Sequence, residues 1–199
     1  MFRRNSIFSV LWATTVLAAA LFVSSVPAEN LVRSSYGKKH RASFGVKTGV
    51  LNAATFKYDG RELDTDYGIM FGVLFDFPVT SWSIFGVTAD ILDIKAMDER
   101  HKALDVGFTM KFPFYRENRD FVIRPGLGIG YGYLAHVAQS FEASDYMTTK
   151  MFVEGVVYSQ RRYAFLLDLG VLYTPIGGSS EYREMRYGPA VYFRIGVIY

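Results

Sequence analysis

The chain has 199 residues, half of them hydrophobic and 17% aromatic, with no cysteine and a formal net charge of +3. Lack of cysteine excludes disulfide staples, thiol catalysis and a lipid-modified N-terminal Cys. The small positive charge sits partly in the first four residues, so it offers no argument for nucleic acid.

Residues 1–28 read as a signal peptide. Arg3 and Arg4 form a basic start, Ile7 to Val23 an apolar stretch, and Val26-Pro27-Ala28 a small-residue cleavage site before Glu29. The apolar stretch is also long enough for an uncleaved anchor, but small residues at the correct spacing favour cleavage. Loss of the leader leaves 20 of the 22 basic residues against 19 acids, a formal charge of +1. The remainder is the size of one domain. Residues 29–41 form a polar periplasmic lead-in ending in Lys38, Lys39, His40 and Arg41. Beyond the leader no apolar run reaches the roughly 18 residues of a spanning helix.

From residue 42 to 199, eight segments of period-two alternation follow one another. The first, 42–51, sets Phe44, Val46, Thr48 and Val50 against Gly45, Lys47 and Gly49. The second, 67–77, sets Tyr67, Ile69, Phe71, Val73, Phe75 and Phe77 against Gly68, Met70, Gly72, Leu74 and Asp76. The third, 82–92, places Phe85, Val87, Ala89 and Ile91 opposite Gly86, Thr88 and Asp90, and the fourth, 104–114, places Leu104, Val106, Phe108, Met110 and Phe112 opposite Asp105, Gly107, Thr109 and Lys111. In the fifth, 121–134, Ile123, Pro125, Leu127, Ile129, Tyr131 and Tyr133 alternate with Arg124, Gly126, Gly128, Gly130 and Gly132. The sixth, 148–159, is less regular. Putting Met151, Val153 and Val157 on the apolar face turns Glu154 to the other. The seventh, 163–173, opposes Tyr163, Phe165, Leu167, Leu169, Val171 and Tyr173 to Asp168 and Gly170. The eighth ends the chain, with Val191, Phe193, Ile195, Val197 and Tyr199 on one face and Tyr192, Arg194, Gly196 and Ile198 on the other.

This pattern predicts an all-β fold, an eight-stranded antiparallel up-and-down transmembrane barrel behind a cleavable signal peptide. The connections support it by alternating in length: 52–66, 93–103, 135–147 and 174–186 are long, whereas 78–81, 115–120 and 160–162 are short. Such barrels have short periplasmic turns and longer outer loops. With Tyr199 periplasmic, all four long loops fall outside.

Alternation alone does not say which face meets lipid, because soluble sheets also have one apolar face. The composition of the second face does. It is rich in glycine, which costs about 0.5–1 kcal/mol in a strand and is a poor choice for an open surface. In a narrow eight-stranded cylinder, by contrast, the interior must be packed with side chains. The apolar face is therefore read as lipid-facing, with aromatic girdles at both interfaces. Tyr67, Tyr131, Tyr133, Tyr173 and Tyr187 mark the outer girdle, and Phe75, Phe77, Trp82, Phe112, Phe121, Tyr163 and Tyr199 the inner.

The inward charged set is Lys47, Asp76, Asp90, Asp105, Lys111, Arg124, Glu154, Asp168 and Arg194, five acids against four bases. In a dry lumen an unpaired charge costs several kcal/mol, so these groups are expected to pair and plug the barrel. A polar path for water or small ions is the alternative. No catalytic, cofactor or metal site is expected. His40 lies in the lead-in, His101 in a charged loop, and His136 at the outer end of the fifth strand near Ser140 and Glu142. No acidic calcium loop appears, and the Gly126-Leu127-Gly128-Ile129-Gly130 run continues a strand rather than opening a helix. Tyr58, Phe141, Tyr146, Tyr182 and Tyr187, in or beside the long loops, could anchor an extracellular partner.

The signal peptide, the strand Pro125-Gly126-Leu127-Gly128-Ile129-Gly130-Tyr131-Gly132-Tyr133 and the terminal strand ending on Tyr199 together resemble the small outer-membrane β-barrel superfamily: the OmpA transmembrane domain, OmpX and opacity-type proteins. The resemblance covers the chain from about Arg41. It implies a monomer in the bacterial outer membrane, surrounded by outer-membrane lipid and lipopolysaccharide, inserted by the barrel-assembly machinery, and acting as a structural or surface-interactive protein. A lipid A-modifying barrel enzyme is a third reading. The His-x-Ser pair of the lipid A deacylases is broken here, however, at His136-Val137-Ala138.

Overall fold

The computed structural model describes residues 41–53, 56–58, 61–63, 66–80, 82–96, 99–115, 121–136, 143–159, 163–177, 179–180, 183–187 and 189–199. The expected leader (1–28) and nearly all of the lead-in lie outside these residues.

Eight long strands are present: β1 (Ser43–Ala53), β2 (Tyr67–Thr80), β3 (Ser83–Ala96), β4 (Glu99–Lys111), β5 (Phe121–His136), β6 (Ala143–Tyr158), β7 (Ala164–Gly177) and β8 (Ala190–Ile198). Each pairs antiparallel with its neighbours in sequence, and β8 pairs with β1. The sheet thus closes on itself. Closure removes every open edge, the condition for a sheet whose outer surface has no water to satisfy its backbone. The seam extends to the last residue: the Tyr199 amide donates to the Phe44 carbonyl at 2.7 Å, and the Phe44 amide to the Tyr199 carbonyl at 3.1 Å.

The expected faces are observed. Phe71, Val106, Ile129, Val153, Leu169 and Ile195 are exposed on the outer surface, whereas Met70, Leu74, Leu92, Val156 and Leu172 are buried inside. A soluble barrel would reverse this ratio of large apolar groups at its surface. Stacked or edge-on aromatic pairs gather toward the inner end, Trp82 with Phe112, Phe75 with Phe77 and Tyr163 with Phe165. Tyr67, Tyr131, Tyr133 and Tyr173 are exposed toward the outer end. Thr48 and Thr149, hydroxyls on the apolar face, donate to the carbonyls of Met70 and Tyr173 on the adjacent strands.

Several boundaries differ from the sequence reading. Trp82 belongs to the tight inner turn, where the Thr80 hydroxyl lies 2.7 Å from that of Ser83. The expected long loop 93–103 is strand for most of its length. β3 and β4 remain paired as far as Ala96 and Glu99. Alternation continues through this stretch, with Ile94 buried inside while Asp93 and Lys95 face outward. Charged residues on the outward face disguised it as a loop.

His101 is consequently a strand residue, buried, and opposite His136 in the β4–β5 register. Tyr146, expected as a loop anchor, is buried in the barrel. Phe141 and Tyr182 lie outside the described residues, and Tyr58 and Tyr187 are placed by backbone only. The first and last outer connections are partly ordered as a second sheet. Strand Arg183–Tyr187 pairs with Phe56–Tyr58 and with Ser179–Ser180, and Phe56–Tyr58 pairs with Arg61–Leu63.

Candidate functional site

Glycine makes the interior possible. Each glycine-rich stretch faces a bulky or charged partner on the neighbouring strand. Gly132 lies opposite Tyr146, Gly126 opposite Phe152, Gly170 opposite Tyr192, Gly72 opposite Asp90 and Gly49 opposite Arg194. A Cβ on Gly126 would stand 2.5 Å from the Phe152 ring. The missing side chains are thus the space that the large ones occupy, the interdigitation expected of a packed lumen.

All nine charged residues assigned to the interior from the sequence are buried and face the lumen, and their contacts sort them into two groups. Near the inner end, the Lys111 ammonium lies 2.9 Å from Asp76 and 3.0 Å from Glu154, and Arg124 reaches Glu154 at 2.8 Å and Asp76 at 3.4 Å. Two bases and two acids from four strands close a ring. At the same end, Leu74, Val156, Ala164, Leu166 and Ile198 pack into an apolar cluster.

The second group crosses the middle of the barrel as a chain. Lys47 contacts Asp168 at 3.0 Å, Asp168 accepts from the Arg194 guanidinium, and Arg194 contacts Asp90 at 2.7 Å. Asp90 in turn lies 2.8 Å from Lys150, which stands 3.4 Å from Asp105. Lys150 is the member absent from the sequence reading. Its signal was available, since it shares the parity of Glu154 on β6, but that strand's irregular start hid it. With Lys150 included, the interior holds five bases and five acids among the described residues. The one-charge imbalance of the sequence reading is thereby removed.

Phe152 stands between the two groups on β6, with the Lys111 ammonium 5.9 Å from its ring centroid. Above the middle chain, Arg194 packs 4.5 Å from the Tyr192 ring centroid. Leu51, Met70, Leu92, Ile94, Tyr146 and Leu172 fill the outer half. Successive apolar and ionic layers therefore cross the lumen, and every one of the ten charges has an opposite charge within 3.4 Å. Such an arrangement holds eight strands in register. Among the described residues no group of three or more His, Asp or Glu is placed to hold a metal ion.

No protein-family model matches the chain, and no curated protein matches it in sequence. Solved structures do. Neisserial surface protein A superposes with a TM-score of 0.60 at 12% identity, over 79% of this chain and 97% of that one. A major outer membrane protein from Thermus thermophilus gives 0.48 at 11% identity, over 80% and 99%. The attachment invasion locus protein Ail of Yersinia pestis gives 0.47 at 12% identity, over 80% and 99%. With its closed eight-stranded sheet, apolar exterior and layered ionic interior, the chain has the fold of the small bacterial outer-membrane β-barrels.

Proposed function

We propose that the protein is a non-conducting, non-enzymatic scaffold of the outer membrane that presents its outer connections as the working surface. The observation that carries this reading is the interior pairing of five bases with five acids between apolar layers. A pore for ions needs uncommitted polar groups along a wet path, whereas here the charges neutralise one another. Ordering of the first and last outer connections into one small sheet supports the second half of the reading. That sheet offers a preformed surface at the mouth of the barrel, the feature expected where loops on a rigid scaffold carry the function.

Planar-bilayer recording tests the first half. The folded protein should give no steady unitary current steps at either polarity, and reproducible steps would replace the scaffold with a narrow channel. Lipid A mass spectrometry on cells with and without the protein should show no difference. A protein-dependent change in acyl chains would identify a lipid-modifying enzyme instead.

A further inference from the structure

Basic charge on the outward faces of the described barrel strands is confined to one hairpin. Among the described strand residues, the outward faces of β1, β2, β5, β7 and β8 carry no charge, and β6 carries Asp145, which accepts a hydrogen bond from Tyr131. The rest lie on the β3–β4 hairpin: Asp93 and Lys95 on one strand, Arg100 and Lys102 on the other.

The height of this patch is set by the strand. Lys102 is ten residues along β4 from the inner girdle residue Phe112. At about 3.3 Å per residue and a tilt of about 40°, that distance is roughly 25 Å along the barrel axis, the height of the apolar band of such barrels. Leu104 and Ile91, immediately below, are still apolar and outward. The basic residues therefore stand at the level of the outer-leaflet headgroups and project from the wall toward lipid, not from the loops toward water.

Their arrangement calls for an anion. Lys95 lies directly opposite Arg100 in the register, a like-charge cross-strand pair that is destabilising by itself. Arg100 leans to Asp93 at 3.3 Å and Lys95 to Asp66 at 3.4 Å. Both contacts are solvent-exposed, of the kind that contributes little and yields readily to a competing anion. Lys102 lies directly opposite Asp93 in the same register, but no carboxylate comes within ion-pair distance of it among the described residues, Asp93 being engaged by Arg100. Three cations, with Asp93 and Asp66 beside them, thus face a bilayer headgroup layer from one patch and keep a net positive charge.

We infer that the outward face of the β3–β4 hairpin, through Lys95, Arg100 and Lys102, binds the phosphomonoester headgroup of an outer-leaflet glycolipid. A phosphomonoester carries about −1.5 to −2 charges near neutral pH and three acceptor oxygens, enough to bridge the Lys95–Arg100 pair and engage Lys102 together. The single charge of a phosphodiester is a poorer match. This inference rests on the outer-membrane reading above and adds to it a specific lipid contact.

Native mass spectrometry of the folded barrel, released from phosphatidylcholine nanodiscs doped with diphosphoryl lipid A, tests it. Wild type should retain a lipid A molecule. Arg100→Gln with Lys102→Gln should lower retention roughly thirtyfold, and Arg41→Gln, at the inner end, should leave it unchanged. Gel mobility with and without boiling reports folding of each variant. Equal retention by the folded double variant overturns the site. So does equal retention of phosphatidylglycerol, or displacement by millimolar inorganic phosphate, since either shows general anion affinity. Failure of wild type to enter the nanodisc overturns the outer-membrane reading itself, an outcome distinct from a barrel that inserts but does not discriminate lipids.

Discussion

Arg194 and Asp90 meet at 2.7 Å although 104 residues separate them in the chain and two strands separate them around the barrel. The contact crosses the lumen rather than running along the wall. Asp168, beside Arg194 on the adjacent strand, shares the same guanidinium. Arg194 is therefore the central member of the ionic chain, and its removal takes one of two cations from each of two buried carboxylates at once, leaving Asp90 with Lys150 and Asp168 with Lys47. Arg194→Ala should destabilise the lipid-folded barrel by about 3–5 kcal/mol, the usual cost of breaking a buried ion pair from one side. Urea unfolding in vesicles measures it, and a loss below about 1 kcal/mol, the scale of an exposed pair, would show that the chain does not hold the strands.

Lys150 completes the charge balance, so its substitution should be far more costly than that of a surface lysine. Lys150→Met leaves Asp90 without one of its two cations and removes the cation 3.4 Å from Asp105. The expected loss is again about 3 kcal/mol or more. Adding Asp105→Asn should restore part of it by removing one stranded charge. A strictly additive double variant would deny the coupling.

Arg124 is the residue through which the inner ring can be tested. Arg124→Ala should lower the melting temperature of the detergent-folded protein, because Glu154 loses a 2.8 Å partner. Lys111 still contacts both acids of that ring, so the loss is that of one of two cations on each. Unchanged melting would remove Arg124 from the buried network.

Glycine packing makes a steric prediction. Gly126→Ala inserts a methyl group against the Phe152 ring, and overpacking of this kind costs about 1–3 kcal/mol. Phe152→Leu in the same chain should recover the part of the loss owed to the ring, while the Met110 carbonyl, 2.9 Å from the added carbon, keeps the remainder. If Gly126→Ala alone leaves unfolding unchanged, the lumen is looser than its packing indicates.

Orientation is tested from outside. Leu169 is exposed near the middle of β7. Leu169→Arg should cost about 2–4 kcal/mol in a bilayer, as expected for a basic residue at the midplane. The same change at a water-facing position would be nearly neutral. A neutral result here would mean that the apolar face does not meet hydrocarbon.

Strand number, face assignment and the nine charged interior residues were legible in the sequence because the period of a strand is two. Once Arg194 and Asp168 are placed opposite a run of apolar residues, parity alone turns them inward. Parity also contained Lys150, which lies inside the sixth segment 148–159, but that segment's faces were assigned only from Met151 onward because its alternation is weakest at the start. The outer end of the β3–β4 hairpin, 93–103, was read as a loop for the converse reason. Its outward residues Asp93, Lys95, Arg100 and Lys102 are charged because they have left the apolar band, not because they have left the strand.

What parity does not contain is who meets whom across the cylinder. Linear order determines neighbours in the wall, hence Gly72 beside Asp90 and Asp168 beside Arg194. The partition into a four-membered ring and a six-membered chain depends on closure, on stagger between strands and on the reach of each side chain through the lumen. Those are three-dimensional quantities, since a charge interacts through distance in space and not through separation along the chain.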